Sequence, residues 1–360
     1  MSASAYIAGF GIAVPGGGLT QTEMWDGFFA QHFAGDRMAE RIFRGAGVRR
    51  RHAAVNPVVE DVSRWSTGER MRRYVAEALP LGKEAVAAAL ADAGLAPADV
   101  GLLAVVSCTG YVTPGLDIRV AADLGMGSDV QRLFVGHMGC YAAIPGLGAA
   151  ADYVVARGRP AVVLCLELTS LHVQPGADDH GQIDRGQVVS HALFGDAAAA
   201  VVVLPNAAES RRDGGLEVVE IAALTDAATA DHMTWDVTDL GFRMGLSPEV
   251  PRVLARHVSD MVSGLLGRHG LTTADVDGWA VHPGGPRILS TVAERLGLPN
   301  DALDASLGVL AERGNCSSAT VLLVLDALRT IRRPRSRRAT VAMAFGPGLT
   351  LYVALLRGTT

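Results

Sequence analysis

The strongest constraint on this chain is that it repeats itself. Ala98-Asp99-Val100 leads into an apolar run and a Thr-Gly turn; Ala274-Asp275-Val276 leads into another apolar run and the turn His282-Pro283-Gly284-Gly285. Each is followed by helical sequence that ends in Leu-Gly, at Leu124-Gly125 and Leu296-Gly297. Further on, Gly139-Cys140 and Gly314-Asn315 each open a helix that passes through a basic turn into the strands Ala161 to Leu166 and Thr340 to Phe345. The first match runs from 98 to 274, an offset of 176, and the second from 140 to 315, an offset of 175. Two independent matches at nearly one offset imply a duplicated βαβ core. A chain of 360 residues also exceeds what one core usually holds, so two fused halves are expected, 1–210 and 211–360. The division falls in the polar stretch Asn206 to Gly215.

Helical and strand periods alternate, the pattern of an α/β protein. Lys83 to Gly94, Pro248 to His269 and Ser317 to Ile331 read as helices, and Tyr153 to Arg157 as a helix end. Gly101 to Ser107, Gln131 to Val135, Ala197 to Leu204 and Gly278 to Val281 read as strands. Apolar residues make up 49 % of the chain, enough for sheets buried on both faces.

Composition excludes several classes. No run reaches the ~18 apolar residues of a membrane helix, and Met1 to Gly11 lacks a basic leader segment. Net charge is −5 and aromatics are 5 %, which leaves neither a basic footprint nor a stacking platform for nucleic acid. The clusters Arg49 to Arg51 and Arg332 to Arg338 read as solvated faces. Four cysteines, Cys108, Cys140, Cys165 and Cys316, have no metal-ligand spacing and are too few for a disulfide scaffold. A reducing cytoplasm and no metal are expected.

Three residues suggest chemistry. Cys140 lies at a strand-to-helix turn, where free N–H groups favour a thiolate; a buried structural thiol is the plainer alternative. His282 ends an apolar strand before a Pro-Gly-Gly-Pro turn that aims its ring. Asn315 has an ordinary reading as a helix cap, but it is the repeat-partner of Cys140, and equivalent helix starts in a two-fold core converge. Together a thiol, an imidazole and an amide can accept an acyl group as a thioester and stabilise an enolate formed by decarboxylating a malonyl thioester.

At these residues the chain resembles the type III polyketide synthases, the chalcone- and stilbene-synthase-like branch of the thiolase superfamily. The matching pieces are Gly139-Cys140, Leu193-Phe194-Gly195-Asp196, His282-Pro283-Gly284-Gly285-Pro286, Gly314-Asn315 with Ser317-Ser318, and Gly346-Pro347-Gly348. The resemblance implies a five-layered αβαβα fold, a homodimer, and iterative condensation of an acyl-CoA starter with malonyl-CoA, without a further cofactor. It makes Cys140, His282 and Asn315 catalytic and Phe194 a gatekeeper, and it makes Gly346, Pro347 and Gly348 part of the cyclisation pocket. It places Cys108, Thr169, His172, Trp235 and Met244 around the product cavity, and Arg44, Arg49, Arg50, Arg51 and Arg287 at the CoA phosphates. Cys165 is expected in the core.

Departures from the family pattern are also legible. Tyr141-Ala-Ala-Ile-Pro145 follows the nucleophile where small residues are common, and Pro145 strains an early helical turn unless the helix starts late. Met244 stands where plant members carry phenylalanine, and Trp235 where they carry glycine. Pyrone, resorcinol and hydroxynaphthalene products all remain open. A ketoacyl synthase III shares the Cys, His and Asn, but follows its His with Gln-Ala-Asn rather than Pro283-Gly284-Gly285. A non-catalytic acyl-CoA-binding subunit would be expected to lack the intact trio.

Overall fold

The computed structural model describes residues 4–177, 180–205, 215–331 and 338–359. The division expected at 210/211, and all of the second basic cluster except Arg338, lie outside these residues.

Strand β1 (Ala5–Ala13) is followed by a two-residue ladder, β2 (Leu19–Thr20) with β3 (Arg50–Arg51), which brackets three short helices: α1 (Gln21–Met24), α2 (Ala30–His32) and α3 (Arg37–Gly45). Helix α4 (Thr67–Ala93) runs 27 residues, well beyond the stretch legible from Lys83. Its start is set by a capping box: Ser66 accepts from the Glu69 amide, and Glu69 accepts from the Ser66 amide. Its buried stripe begins with Arg70 and Tyr74 before reaching Ala78, Leu81 and Ala85, so a pattern search for apolar residues starts too late.

The rest of the first half is β4 (Leu102–Val106), α5 (Leu116–Leu124), β5 (Gln131–Val135), α6 (Ala143–Arg157), β6 (Ala161–Glu167), α7 (Arg185–Leu193) and β7 (Ala197–Leu204). The second half has β8 (Leu216–Thr225), a hairpin of β9 (Met233–Thr238) and β10 (Gly241–Leu246), α8 (Val250–Arg268), β11 (Val276–Val281), α9 (Pro286–Leu296), α10 (Asp304–Arg313), α11 (Ala319–Ile331), β12 (Ala339–Gly346) and β13 (Thr350–Gly358).

Strand pairing displays the duplication. β4 pairs parallel with β6, β6 antiparallel with β7, and β7 antiparallel with β1. β11 pairs parallel with β12, β12 antiparallel with β13, and β13 antiparallel with β8. The halves join where Ala5 to Ile7 of β1 meet β8, giving the order β11-β12-β13-β8-β1-β7-β6-β4-β5. Among the described residues the second half has no counterpart of β5; α10 lies in that part of the repeat.

Side chains alternate across each strand. Val162, Leu164 and Leu166 of β6 face an outer core with α4, while Val163 and Cys165 face a central core around α6 and α11. On β12, Ala342 and Ala344 face that same central core, whereas Val341, Met343 and Phe345 face a second outer core with α8 and α9. Helix, sheet, helix, sheet, helix: the layers number five. Each fully buried Val or Leu here contributes on the order of 1.5–3 kcal/mol, and the central layer holds the starts of α6 and α11 rigidly side by side.

Candidate active site

Cys140 sits in a 3₁₀ turn, Gly139–Tyr141, between β5 and α6. The α-helix proper starts only at Ala143, so Pro145 falls in its first turn, where a missing N–H costs nothing. Gly139 adopts φ +77°, and a Cβ there would lie 2.6 Å from Pro347 Cδ. The Gly346-Pro347-Gly348 turn therefore packs against the nucleophile turn, with Gly346 close to Tyr141 and to the Cys140 amide.

Asn315 is buried, and its backbone is stitched to the gatekeeper segment: its N–H donates to the Leu193 carbonyl at 2.8 Å, and its carbonyl accepts from the Gly195 amide at 3.0 Å. Its side-chain oxygen accepts from the Ser317 amide at 2.8 Å and from the Thr320 hydroxyl at 3.5 Å. The cap reading and the catalytic reading thus coexist. With Oδ1 occupied by donors, the NH₂ group is left to donate toward the thiol and the cavity.

His282 ends β11 with its backbone N–H bound to the Met343 carbonyl at 2.8 Å, and its ring lies edge-on to Phe345. Among the described residues its Nδ1 is buried without a hydrogen-bond partner. Burial holds the imidazole neutral, pulling its pKa down to about 3. Burial likewise pushes the Cys140 thiol up to about 12, against hydrogen bonds from Ser317, its own amide and Asn315 that favour the thiolate. Burial thus works against the helix-terminus effect expected for the thiolate, while the N–H groups favour it. For both groups burial favours the neutral form.

Cys140, His282, Asn315, Phe194 and Met244 open onto one cavity of about 550 Å³, walled mainly by apolar groups such as Leu193, Leu246, Ile288 and Phe345. Arg41, Arg185 and Arg287 also line it. Arg41 and Arg185 were missed by sequence reasoning. Met38, Arg41, Ile42 and Gly45 form the cavity-facing stripe of α3 at helical spacing, a signal readable once α3 is recognised. Arg44 lies off that stripe and pairs with Glu40, and Arg49 pairs with Glu312. Neither lines the cavity, and Arg50 is exposed away from it.

Arg51 is corrected outright. Only 2 % exposed, it donates to the carbonyls of His191 and Phe194 and to Gln21 Oε1, each at 2.6 Å. It holds the end of α7 from within and cannot meet a phosphate.

The remaining cavity candidates lie behind the wall. His172 is fixed at both nitrogens: Nε2 lies 2.7 Å from the Thr109 carbonyl and Nδ1 accepts from the Phe242 amide at 3.0 Å. Its ring stacks on Phe242 and meets Trp235 edge-on. Trp235 donates to the Cys108 carbonyl at 2.8 Å and leans on Phe194. Thr169 bonds Asp196, whose buried carboxylate also accepts from the Ala54 and Ser170 amides. That network explains Leu193-Phe194-Gly195-Asp196: Asp196 anchors the turn that carries Phe194. His172, Trp235, Thr169 and Cys108 do not line the 550 Å³ cavity: Trp235 of β9 packs with His172 and the Cys108 carbonyl, and Thr169 is held by the Gly195 carbonyl and Asp196. Gly346 to Gly348 are likewise absent from its lining. Cys165 is fully buried in the core.

A duplicated αβαβα core with a cysteine on one helix start, an asparagine on its repeat-partner and a histidine between them defines a condensing enzyme of the thiolase fold. Family profiles for chalcone and stilbene synthases match residues 2–206 (N-terminal domain) and 221–360 (C-terminal domain). The chain belongs to the chalcone and stilbene synthase family. It is 37 % identical over 323 residues to 1,3,6,8-tetrahydroxynaphthalene synthase of Streptomyces peucetius subsp. caesius, covering 89 % of this chain and 83 % of that one. It is 33 % identical over 344 residues to the alpha-pyrone synthesis polyketide synthase-like Pks18 of Mycobacterium tuberculosis, covering 89 % and 85 %. The crystal structure of PKS-I from the brown alga Ectocarpus siliculosus superposes with a TM-score of 0.92 at 29 % identity, covering 99 % of both chains. The protein is a type III polyketide synthase. Among the described residues no helix is long and apolar enough to cross a membrane, and no group of three or more His, Cys, Asp or Glu could hold a metal ion.

Proposed function

We propose that this enzyme loads an acyl-CoA starter on Cys140, extends it with malonyl-CoA by decarboxylative condensation, and releases a cyclised pyrone, resorcinol or hydroxynaphthalene. The observation that carries the reading is the convergence of Cys140, His282 and Asn315 on one apolar cavity with arginines along it. Neutral His282 takes the thiol proton as sulfur attacks the starter and passes it to the departing CoA thiol. The Asn315 NH₂ and the imidazole then donate to the malonyl thioester oxygen as carbon dioxide leaves and the enolate forms. CoA thioesters are the only small molecules this scheme requires. Arg41, Arg185 and Arg287 are the candidates for the CoA phosphates.

The enzyme is further read as a homodimer in a reducing cytoplasm. In support, β5 is a sheet edge with Leu133 and Phe134 over a third exposed, a surface that favours pairing. All four thiols are free.

Intact-mass measurement after incubation with an acyl-CoA tests the assignment. The adduct should map to Cys140 and vanish in Cys140→Ser, and His282→Ala or Asn315→Ala should lose carbon dioxide release by on the order of 10²–10³. An adduct on Cys108 or Cys316, or normal decarboxylation by Asn315→Ala, would overturn it.

A further inference from the structure

Among the described residues three buried side-chain polar atoms lack a hydrogen-bond partner, and two of them, Arg51 Nε and His191 Nε2, belong to residues that line one small void. The void measures about 20 Å³ and is bounded also by Phe29, Thr169, Val173 and Phe194. Phe194 lines both this void and the acyl cavity, so the void backs the gatekeeper.

Neither nitrogen is free to turn toward another group. The Arg51 guanidinium is planar and fastened at both ends. Its Nη1 donates to the His191 and Phe194 carbonyls, and its Nη2 to Gln21 Oε1. Gln21 is fixed in turn, because its amide nitrogen donates to the Phe43 and Ala192 carbonyls. The His191 ring stacks on Phe29 and Phe33, with centroids 5.6 and 6.2 Å away, and meets His32 edge-on. A buried N–H without an acceptor is rare, since its lost hydration goes uncompensated.

Size and charge narrow the occupant. A water needs about 10–15 Å³ of free space, so about 20 Å³ holds one and excludes a carboxylate or a phosphate. Burial keeps His191 neutral, so Nε2 carries either a hydrogen or a lone pair. A water answers both cases, because it accepts and donates. A halide would require Nε2–H, and the Asp196 carboxylate already favours the Arg51 charge.

We propose that this void is a water site, in which one water accepts from Arg51 Nε, hydrogen-bonds His191 Nε2 and completes the wall behind Phe194. Arg51 of β3 already grips the His191 carbonyl directly; the water links the same guanidinium to the ring of the same residue. The last turn of α7 is thereby held at backbone and side chain together, three residues before Phe194. His191 is a positioning residue for the gate and touches no substrate. The site stands whichever residue is the nucleophile.

A high-resolution crystal structure of the full chain tests this. One density peak about 2.7–3.2 Å from both nitrogens is expected, with no anomalous signal there after a bromide soak. His191→Leu, near in size but without ring nitrogens, should lose the peak and lower Tm by about 3 °C. His191→Gln, whose amide nitrogen can stand where Nε2 stands, should keep the peak and regain most of that Tm. No peak in the wild type, a bromide peak in the void, or equal Tm values for the two variants would overturn the water site. If neither variant folds, the native and bromide-soaked wild-type crystals decide alone.

Discussion

Replacing Arg51 with methionine separates two roles for the basic cluster at residues 49–51. Methionine keeps the apolar stem packed but removes the donors to the His191 and Phe194 carbonyls and to Gln21, together with the cation lying 5.9 Å over the Phe43 ring. Each acceptor stranded in a dry site costs about 1–3 kcal/mol, and a loss of about 4 kcal/mol overall follows. Unfolding entropy of about 2.1 cal/mol/K per residue over a chain this long converts that into a fall in Tm of about 5 °C. Because the end of α7 carries Phe194 and is stitched to Asn315, kcat should fall as the site loosens. KM for an acyl-CoA and for its N-acetylcysteamine thioester should move together, since Arg51 never meets the nucleotide. Differential scanning calorimetry and paired kinetics check this. An unchanged Tm with KM raised for the CoA thioester alone would refute the buried-clamp reasoning and return Arg51 to the tunnel mouth.

Three further outcomes are expected. With the Cys140 thiol pushed up to about 12 and His282 down to about 3, alkylation of Cys140 by iodoacetamide should rise about tenfold per pH unit from pH 7 to 10; a plateau near neutrality would show a preformed ion pair. Burial first of all holds His32, His52, His172, His191 and His282 below their usual value. The unfolded chain therefore binds protons that the folded one refuses: stability is fully present above about pH 6.5 and is lost as pH falls, by at most about 1.4 kcal/mol per pH unit per histidine. The raised Glu167 and Asp196 oppose this but are fewer, so a urea midpoint that does not fall between pH 6.5 and 5 would contradict it. Trp235→Gly should open space against Phe194 and Cys108 and shift products toward longer chains or bulkier starters, read by mass spectrometry; an unchanged profile would place that space outside the product path.

The duplication, the trio and the gatekeeper turn were legible because each is local: a motif, a turn residue, an offset. Strands such as Ala197–Leu204 were readable to the residue because an unbroken apolar run is bounded by polar turns. What failed was reach. Whether an arginine faces a phosphate or a carbonyl depends on which side of a two-residue strand it occupies, and Arg50 and Arg51 point oppositely for that reason. Trp235 and His172 sit near the site in sequence logic, yet backbone carbonyls and amides from distant loops draw them into the packing. The pull of burial on the thiol was not legible because burial is a property of the whole fold, whereas the helix terminus is visible in five residues.

The missing tenth strand limits how copies of this chain can assemble. On the far side of the sheet, Ser306 of α10 accepts from the Val281 amide and occupies the rim of β11. Among the described residues β5 and β11 are the two rims of the nine-stranded sheet, and β11 is the one with a helix beside it. A molecule with two open rims could add copies head to tail without end; a molecule with one can satisfy it only against itself, through a two-fold axis that closes after two copies. With α10 beside β11 in place of a further strand, sheet extension is hindered at that rim, which a duplication completed in both halves would have left open.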